Sequence, residues 1–168
     1  MNAEDLRAIQ SPLKTKYKED ASSAFYTLRA EGQIDPAGLA VDVTGHNGTI
    51  KAGLHPATGG DGRLACSAQM LLEALASCAG VTLAVVATAT GTPLNGGSVS
   101  AEGDLDFRGT LGVSKEVPVG LKAIRLSFVL DTDATSEQLD TLIRLTERYC
   151  VVYQTLKTPP TIEVSRLP

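Results

Sequence analysis

The chain has 168 residues, of which 43% are hydrophobic and 20% are charged, and its net charge is −4. These values are typical of one globular domain covering residues 1–168, and they exclude the clustered Lys and Arg of a nucleic-acid-binding protein. The polar, acidic N-terminus lacks the apolar core of an export signal, so we expect a cytoplasmic protein. The apolar run over residues 74–89 is too short for a membrane span, and no membrane association is expected.

The first third of the sequence predicts a polar N-terminal arm followed by strands. Residues 1–22 form the arm, with a short helix around Leu6 and Ile9. Alternating side chains over residues 24–31 predict a first strand. Second and third strands carry Leu39, Val41 and Val43, and Ile50, Ala52 and Leu54. The Asn47-Gly48 pair between them predicts a tight antiparallel hairpin, because it supplies the positive φ angles of such a turn.

A loop and a long helix follow the hairpin. Glycines and a proline over residues 55–63 predict an irregular loop, which is a candidate wall of a binding site. The next segment predicts a helix over residues 67–89, with Ser67 as its N-cap and Glu73 as its one charge. A helix that is apolar on nearly every face is expected to be buried on all sides. We therefore expect it to be the central element of the fold.

The second half predicts two strands, a helix and a final strand. Alternation predicts strands over residues 99–108 and 124–130, each with one buried face. Thr135 to Gln138 have the spacing of a capping box. The helix that they begin has an apolar stripe of Leu139, Leu142, Ile143, Tyr149 and Cys150, and a last strand lies around Ile162 and Val164. Hairpin links with two interspersed helices predict an α+β fold.

Three cysteines are the residues with the most chemical potential. From the pattern alone, Cys78 within the long helix and Cys150 at the end of the second helix are either small core hydrophobes or reactive thiols. Cys66 precedes a helix, so it is either a lone, partly buried thiol, which is the interpretation we favour, or a thiol whose thiolate is favoured by the helix-end amides. The wide spacing of the cysteines and the presence of only two histidines argue against a zinc site. A Cys–His hydrolase that uses His55 is a further alternative.

Two motifs change this balance. The loop Gly59-Gly60-Asp61-Gly62 followed by Met70-Leu71-Leu72-Glu73-Ala74-Leu75-Ala76-Ser77-Cys78 resembles the signature of the OsmC/Ohr family of osmotically inducible and organic hydroperoxide resistance proteins. The segment Tyr149-Cys150-Val151-Val152 resembles the family's second cysteine motif, which is usually Cys-Pro-Val. The resemblance covers roughly residues 24–166.

The resemblance implies a fold and a reaction. The fold is a two-layer α+β arrangement in which an antiparallel sheet wraps around the long helix and a second helix, in an intertwined homodimer with the reactive site at the subunit interface. The reaction is the reduction of organic hydroperoxides without a bound cofactor. Cys78 attacks the peroxide and becomes a sulfenic acid, Cys150 resolves it to a disulfide, and an external dithiol reduces that disulfide. The alternative is a weakly catalytic or non-catalytic protein on the same fold that binds small molecules or senses redox state.

The sequence also departs from the family pattern. The carboxylate that is usual early in the long helix corresponds to Ala68-Gln69, neither of which ionises, and Val151 replaces the usual proline. An arginine normally supports the thiolate in this family, and Arg63 is our first choice and Arg29 the second. We also expect the loop that contains Arg63 to border the site of Cys78.

Overall fold

The computed structural model of the protein describes residues 1–46 and 48–166. The helices are α1 (Ala3–Glu19), α2 (Ser67–Thr90), α3 (Phe107–Thr110), α4 (Ser136–Tyr149) and α5 (Val151–Lys157). The strands are β1 (Glu31–Asp35), β2 (Ala40–Gly45), β3 (Gly48–Ala52), β4 (Gly96–Asp104) and β5 (Ala123–Asp131). Helices and antiparallel strands are mixed along the chain, so the α+β prediction is confirmed.

Two compact units make up the chain. One unit contains residues 1–8, 74–100 and 127–168, and the other contains residues 9–73 and 101–126. We refer to them as the thiol unit and the loop unit, after the cysteine pair and the glycine-rich loop that they contain.

The N-terminal region differs from the prediction. The helix there is longer than expected, since α1 extends over 17 residues. The predicted strand over residues 24–31 is wrong: Ala21–Ala24 form a 3-10 turn capped by Asp20, and β1 begins only at Glu31. Alternation defines the two faces of a strand but does not supply a partner, and Phe25 remains 83% exposed.

The loop unit contains a three-stranded antiparallel sheet in the order β1-β2-β3. Val41 lies opposite Ile34 on one side and Ala52 on the other. The predicted hairpin is confirmed by the pairing of Gly45 with Gly48. Asn47, on which that prediction was based, lies outside the described residues.

The glycine-rich loop is irregular apart from one 3-10 turn over Pro56–Thr58. The turn is capped by His55, whose Nδ1 accepts a hydrogen bond from the Ala57 N–H at 3.0 Å. A Cβ on Gly60 would lie 1.8 Å from the carbonyl oxygen of Leu54, so only glycine fits at that position. Ala65 then forms a parallel bridge with Ala52 of β3, which leads the chain directly into α2.

The long helix is confirmed over Ser67–Thr90. The Cys66 carbonyl accepts from the Met70 N–H, which makes Cys66 rather than Ser67 the N-cap. Burial on all sides is wrong for the single chain, since Val81 is 67% exposed. The buried side chains follow one helical stripe of Leu72, Leu75, Ala79, Leu83, Val86 and Ala87. By length and composition α2 is the one described helix that could cross a membrane, a test that core helices of soluble proteins also pass.

The core of the thiol unit joins α2 to α4. Buried Leu83, Val86, Ala87 and Leu142 form its centre, and partly buried side chains such as Phe128 pack against them. The predicted capping box is confirmed at Thr135 and Gln138. In the predicted apolar stripe, Tyr149 is wrong, because it is 58% exposed. Thr146 is buried instead, and its hydroxyl donates to the Leu142 carbonyl at 2.8 Å.

Of the three strands predicted in the second half, the one over 124–130 is confirmed as β5, and the other two differ from the expectation. β4 pairs with β5, but the strand predicted over 99–108 stops at Asp104. Asp106 caps α3 by accepting from the Arg108 N–H, and its carboxylate also binds the Arg108 side chain at 2.9 and 2.6 Å. The predicted final strand is wrong, since residues 159–166 have no regular structure and Val164 is 93% exposed.

Candidate functional site

Cys150 lies at the joint between α4 and α5 and has an extended backbone, with φ −73° and ψ 110°. Its N–H donates to the Thr146 carbonyl and its own carbonyl accepts from the Gln154 N–H, both at 2.9 Å. Its sulfur accepts from the Tyr153 N–H at 3.5 Å. Cys150 therefore ends one helix and caps the beginning of the next.

Cys78 occupies the middle of α2 and is partly buried. Its thiol lies near the Cys150 thiol, which is fully buried and is among the groups that shift the pKa of Cys78. The structure thus brings together two cysteines that are far apart in the sequence and lie on different helices of the thiol unit. Both are free thiols, as is Cys66.

The surroundings of Cys78 favour a thiolate. Burial raises the pKa of the Cys78 thiol, but hydrogen bonds from the Val152 N–H, the Cys150 thiol, the Val151 N–H and the Thr82 hydroxyl outweigh that effect and hold the pKa below its usual value. The two N–H groups belong to the first residues of α5, which have no partner within their own helix. Such donors stabilise the negative charge of a neighbouring sulfur.

Cys150 is shifted in the opposite direction. Burial raises the pKa of its thiol, and the neighbouring Cys78 sulfur raises it further, against hydrogen bonds from the Tyr153 and Val152 N–H groups. Cys78 therefore loses its proton first, and Cys150 remains a thiol beside the resulting thiolate. This asymmetry is suited to a pair in which one sulfur attacks and the other follows.

An open depression of about 440 Å³ lies beside the joint. It is lined by Arg148, Tyr149, Cys150, Val151, Gln154, Thr155, Thr158 and Pro160. The Arg148 guanidinium lies 5.5 Å from the centroid of the Tyr149 ring. The Cys150 sulfur is therefore buried, while the neighbouring residues Tyr149 and Val151 are exposed at the surface.

Arg63 lies in the loop unit. Its side chain is 86% exposed, and its Nε lies 3.5 Å from Oδ2 of Asp61. Arg29 is exposed in the irregular segment 25–30. The support of the Cys78 thiolate by an arginine stays a prediction. Ala68 and Gln69 lie in the first turn of α2 and carry no charge.

The sequence also raised His55 as a hydrolase residue and the question of a metal site. The Nδ1 atom of His55 is occupied by the Ala57 N–H, and its ring stacks on Phe107 with a centroid distance of 4.8 Å. Among residues 1–46 and 48–166, no group of three or more His, Cys, Asp or Glu side chains could hold a metal ion.

Sequence reasoning did not identify the groups that act on Cys78. Thr82 is four residues further along α2, so helical periodicity places it on the same face and could have indicated it. The N–H groups of Val151 and Val152 carry no signal in the sequence, because their direction depends on the turn at Cys150.

Comparison with known proteins places the chain in one family. The family model described as OsmC-like protein matches residues 60–165, which is more than half of the chain and includes both cysteines of the pair. An OsmC-like protein from Mycoplasma pneumoniae has a similar structure, with a TM-score of 0.66 and 15% identity over 80% of this chain and 89% of that chain. No curated protein matches the sequence significantly.

Two further structures are of organic hydroperoxide resistance proteins. The protein named OsmC from Legionella pneumophila has a TM-score of 0.60 and 19% identity over 80% of this chain and 92% of that chain. The protein named OhrB from Bacillus subtilis has a TM-score of 0.54 and 18% identity over 81% and 94%. At such identities the likeness establishes the fold, and together with the family match it means that this chain belongs to the family of OsmC-like proteins.

Proposed function

We propose that the protein is a thiol-dependent peroxidase that reduces organic hydroperoxides, with Cys78 as the attacking thiol and Cys150 as the resolving thiol. The observation that carries the proposal is that Cys78 and Cys150, far apart in the sequence, lie close enough for each to shift the pKa of the other, in opposite directions. Membership of a family in which some structures are named organic hydroperoxide resistance proteins supports a peroxidase-like role.

In the first step the Cys78 thiolate attacks one oxygen of the peroxide. A sulfur–oxygen bond forms, the O–O bond breaks, and the alkoxide leaves and takes up a proton to become the alcohol. Cys78 is oxidised to a sulfenic acid and the hydroperoxide is reduced. The lowered pKa of Cys78 increases the fraction of thiolate available for this step.

In the second step the Cys150 sulfur attacks the sulfenic sulfur of Cys78. A disulfide forms and water leaves. A disulfide requires Cα atoms within about 7 Å, and thiols close enough to shift each other's pKa are expected to need little movement to meet this requirement. An external dithiol then returns both cysteines to thiols by exchange, without a bound cofactor. Because this cycle requires reduced dithiols, we place the protein in the cytoplasm.

Arg63 is our proposed support for the thiolate, and Arg29 is the second choice. The single ion pair of Arg63 is exposed and long, at 3.5 Å, so little energy holds the guanidinium in place. The loop over residues 55–63 is then the wall of the substrate site. Without an ionisable residue at Ala68 or Gln69 to orient the guanidinium, we expect turnover to be slow for a peroxidase of this kind.

That same absence favours a second candidate function. A protein that oxidises once and is recycled poorly would act as a redox sensor or a binding protein on the same fold. A single turnover with peroxide, without sustained turnover in the presence of a dithiol, distinguishes a sensor from an enzyme.

We also propose that the protein is a homodimer. Val81 and Val85 on α2 are 67% and 37% exposed, and the apolar side chains Leu28 and Ile162 in the two irregular segments are 91% and 81% exposed. Apolar surface of this extent is typical of an interface. Both segments also have the alternating pattern of a β-strand, and neither is paired with another strand among the described residues of the single chain. A second copy of the chain would cover them. Sedimentation equilibrium that shows a folded monomer at micromolar concentration would contradict this assembly.

The peroxidase proposal is tested by stopped-flow oxidation with hydrogen peroxide and with cumene hydroperoxide. We expect the wild type and the Cys66→Ser control to react fastest with the organic peroxide. Cys78→Ser should not react, and Cys150→Ser should stop at the sulfenic acid. A Cys78→Ser variant that reacts like the wild type would remove the basis of the proposal.

A further inference from the structure

At the joint between α4 and α5, a side-chain donor replaces the backbone donor of one helical hydrogen bond. In a continuous helix the N–H of Val151 would donate to the carbonyl of Glu147, four residues earlier. The extended backbone of Cys150 turns the chain away at this point. The side-chain amide of Gln154 takes the vacated position, with its Nε2 donating to the Glu147 carbonyl at 2.7 Å.

The turn at Cys150 takes the Val151 N–H away from the Glu147 carbonyl and makes it available to another acceptor. That N–H and the N–H of Val152 act on the sulfur of Cys78. Position 151 must be a residue other than proline for this effect, because a proline there would have no N–H to donate.

Gln154 is tied to the joint at two points. Its backbone N–H donates to the Cys150 carbonyl at 2.9 Å, and its side chain reaches back to the last turn of α4. One partly buried residue therefore connects the first turn of α5, the capping cysteine and the end of α4. A glutamine in this place satisfies a helix-end carbonyl that would otherwise need water or another donor.

We infer that Gln154 is a positioning residue for the thiol pair: by occupying the Glu147 carbonyl, it holds the joint in the turn that directs the Val151 and Val152 N–H groups at Cys78. The importance of this arrangement for peroxide reduction rests on the proposed function. The support that the joint gives to the Cys78 thiolate does not, and it is measured without any peroxide.

The test uses Gln154→Ala, which removes the side-chain amide, and Gln154→Glu, which keeps the size but loses the donor. Alkylation of Cys78 by iodoacetamide is followed against pH by the mass of the Cys78 peptide, so that Cys66 and Cys150 do not interfere. Both variants should raise the pKa of Cys78. At a pH below the wild-type midpoint, alkylation should slow roughly threefold for each half pKa unit by which the midpoint rises.

Gln138→Ala is the matched control. Gln138 also bonds a side-chain amide to the backbone, since its Oε1 accepts from the Thr135 N–H at 2.9 Å, but at the opposite end of α4. Its loss weakens the same helix without touching the joint. The pKa of Cys78 should therefore stay at the wild-type value in this variant.

Two further measurements keep the inference testable if the Gln154 variants fold poorly. Val151→Pro removes the N–H donor and leaves Gln154 in place, and it should slow Cys78 alkylation in the same direction. In the wild type, the NMR shift of the Val151 amide proton should follow the titration of Cys78. A Val151 amide that does not respond, or an unchanged Cys78 pKa in folded Gln154→Ala, overturns the inference.

The inference and the proposed function can fail separately. A raised Cys78 pKa in the Gln154 variants of a protein that reduces no hydroperoxide would uphold the positioning role and reject the peroxidase. Full peroxidase activity with an unchanged Cys78 pKa in those variants would uphold the peroxidase and reject the positioning role.

Discussion

The thiols of Cys78 and Cys150 lie close enough to shift each other's pKa, although one residue lies at a joint between two helices and the other in the middle of a third. Their proximity lowers the pKa of Cys78 and raises that of Cys150. The first two predictions follow from this pair.

One equivalent of an organic hydroperoxide should convert the pair to a Cys78–Cys150 disulfide and leave Cys66 reduced. Cys78 and Cys150 belong to the same unit, and each shifts the pKa of the other. Peptide mapping by mass spectrometry after blocking of free thiols gives the linkage. Recovery of a disulfide that contains Cys66, or of Cys78 as a free thiol, would contradict the roles assigned to Cys78 and Cys150.

The reactivity of Cys78 should rise with pH through a midpoint below the ordinary thiol pKa of 9.0. Because the folded protein stabilises the thiolate, the reactive form is already more abundant at neutral pH than in a free cysteine. Cys150→Ala removes one of the hydrogen bonds that lower this pKa and should move the midpoint upward. The pH profile of Cys78 alkylation measures both values, and a midpoint that is equal in the two proteins would contradict the proposed contact.

Asp106 should contribute to stability in a pH window set by its ion pair. Hydrogen bonds from the Arg108 side chain lower the pKa of Asp106 to about 2 from 3.8. The contribution is therefore complete above the unfolded value of 3.8 and is lost as the pH falls through about 2. Asp106→Asn should lower the midpoint of thermal unfolding at neutral pH, and the difference from wild type should shrink below pH 3.8. An equal difference at both pH values would show that the effect does not come from the ionised carboxylate, because asparagine keeps an oxygen that can cap α3.

Leu142→Ala should destabilise the thiol unit strongly. Leu142 is 1% exposed at the centre of the core between α2 and α4, and truncation of such a leucine costs about 2–5 kcal/mol. Urea denaturation measures the loss. Leu111→Ala is the control, because that leucine is 56% exposed and its truncation should change the stability by less than about 0.5 kcal/mol. Similar losses in the two variants would contradict the packing described for α4.

Local signals account for the parts of the fold that were predicted correctly. The apolar run of α2, the hairpin between β2 and β3, and the capping box at Thr135 are each specified by residues close together in the chain. The predicted strands over residues 24–31 and around Ile162 failed because strand formation requires a hydrogen-bonded neighbour, which an alternating pattern cannot supply. For the site, the resemblance selected Cys78 and Cys150 from three cysteines, whereas Gln154 became visible only once the turn at Cys150 was known.

The cap that Cys150 provides for α5 has a consequence for the oxidised protein. The Cys150 sulfur accepts a hydrogen bond from the Tyr153 N–H while it is a thiol. In a disulfide the position of the same sulfur is set by its bond to Cys78, so the first turn of α5 should lose its cap and fray. Deuterium uptake at the Tyr153 amide would then be faster in the oxidised protein than in the reduced one. The exchange rate of the Tyr153 amide would thus report whether the Cys150 sulfur is reduced or oxidised.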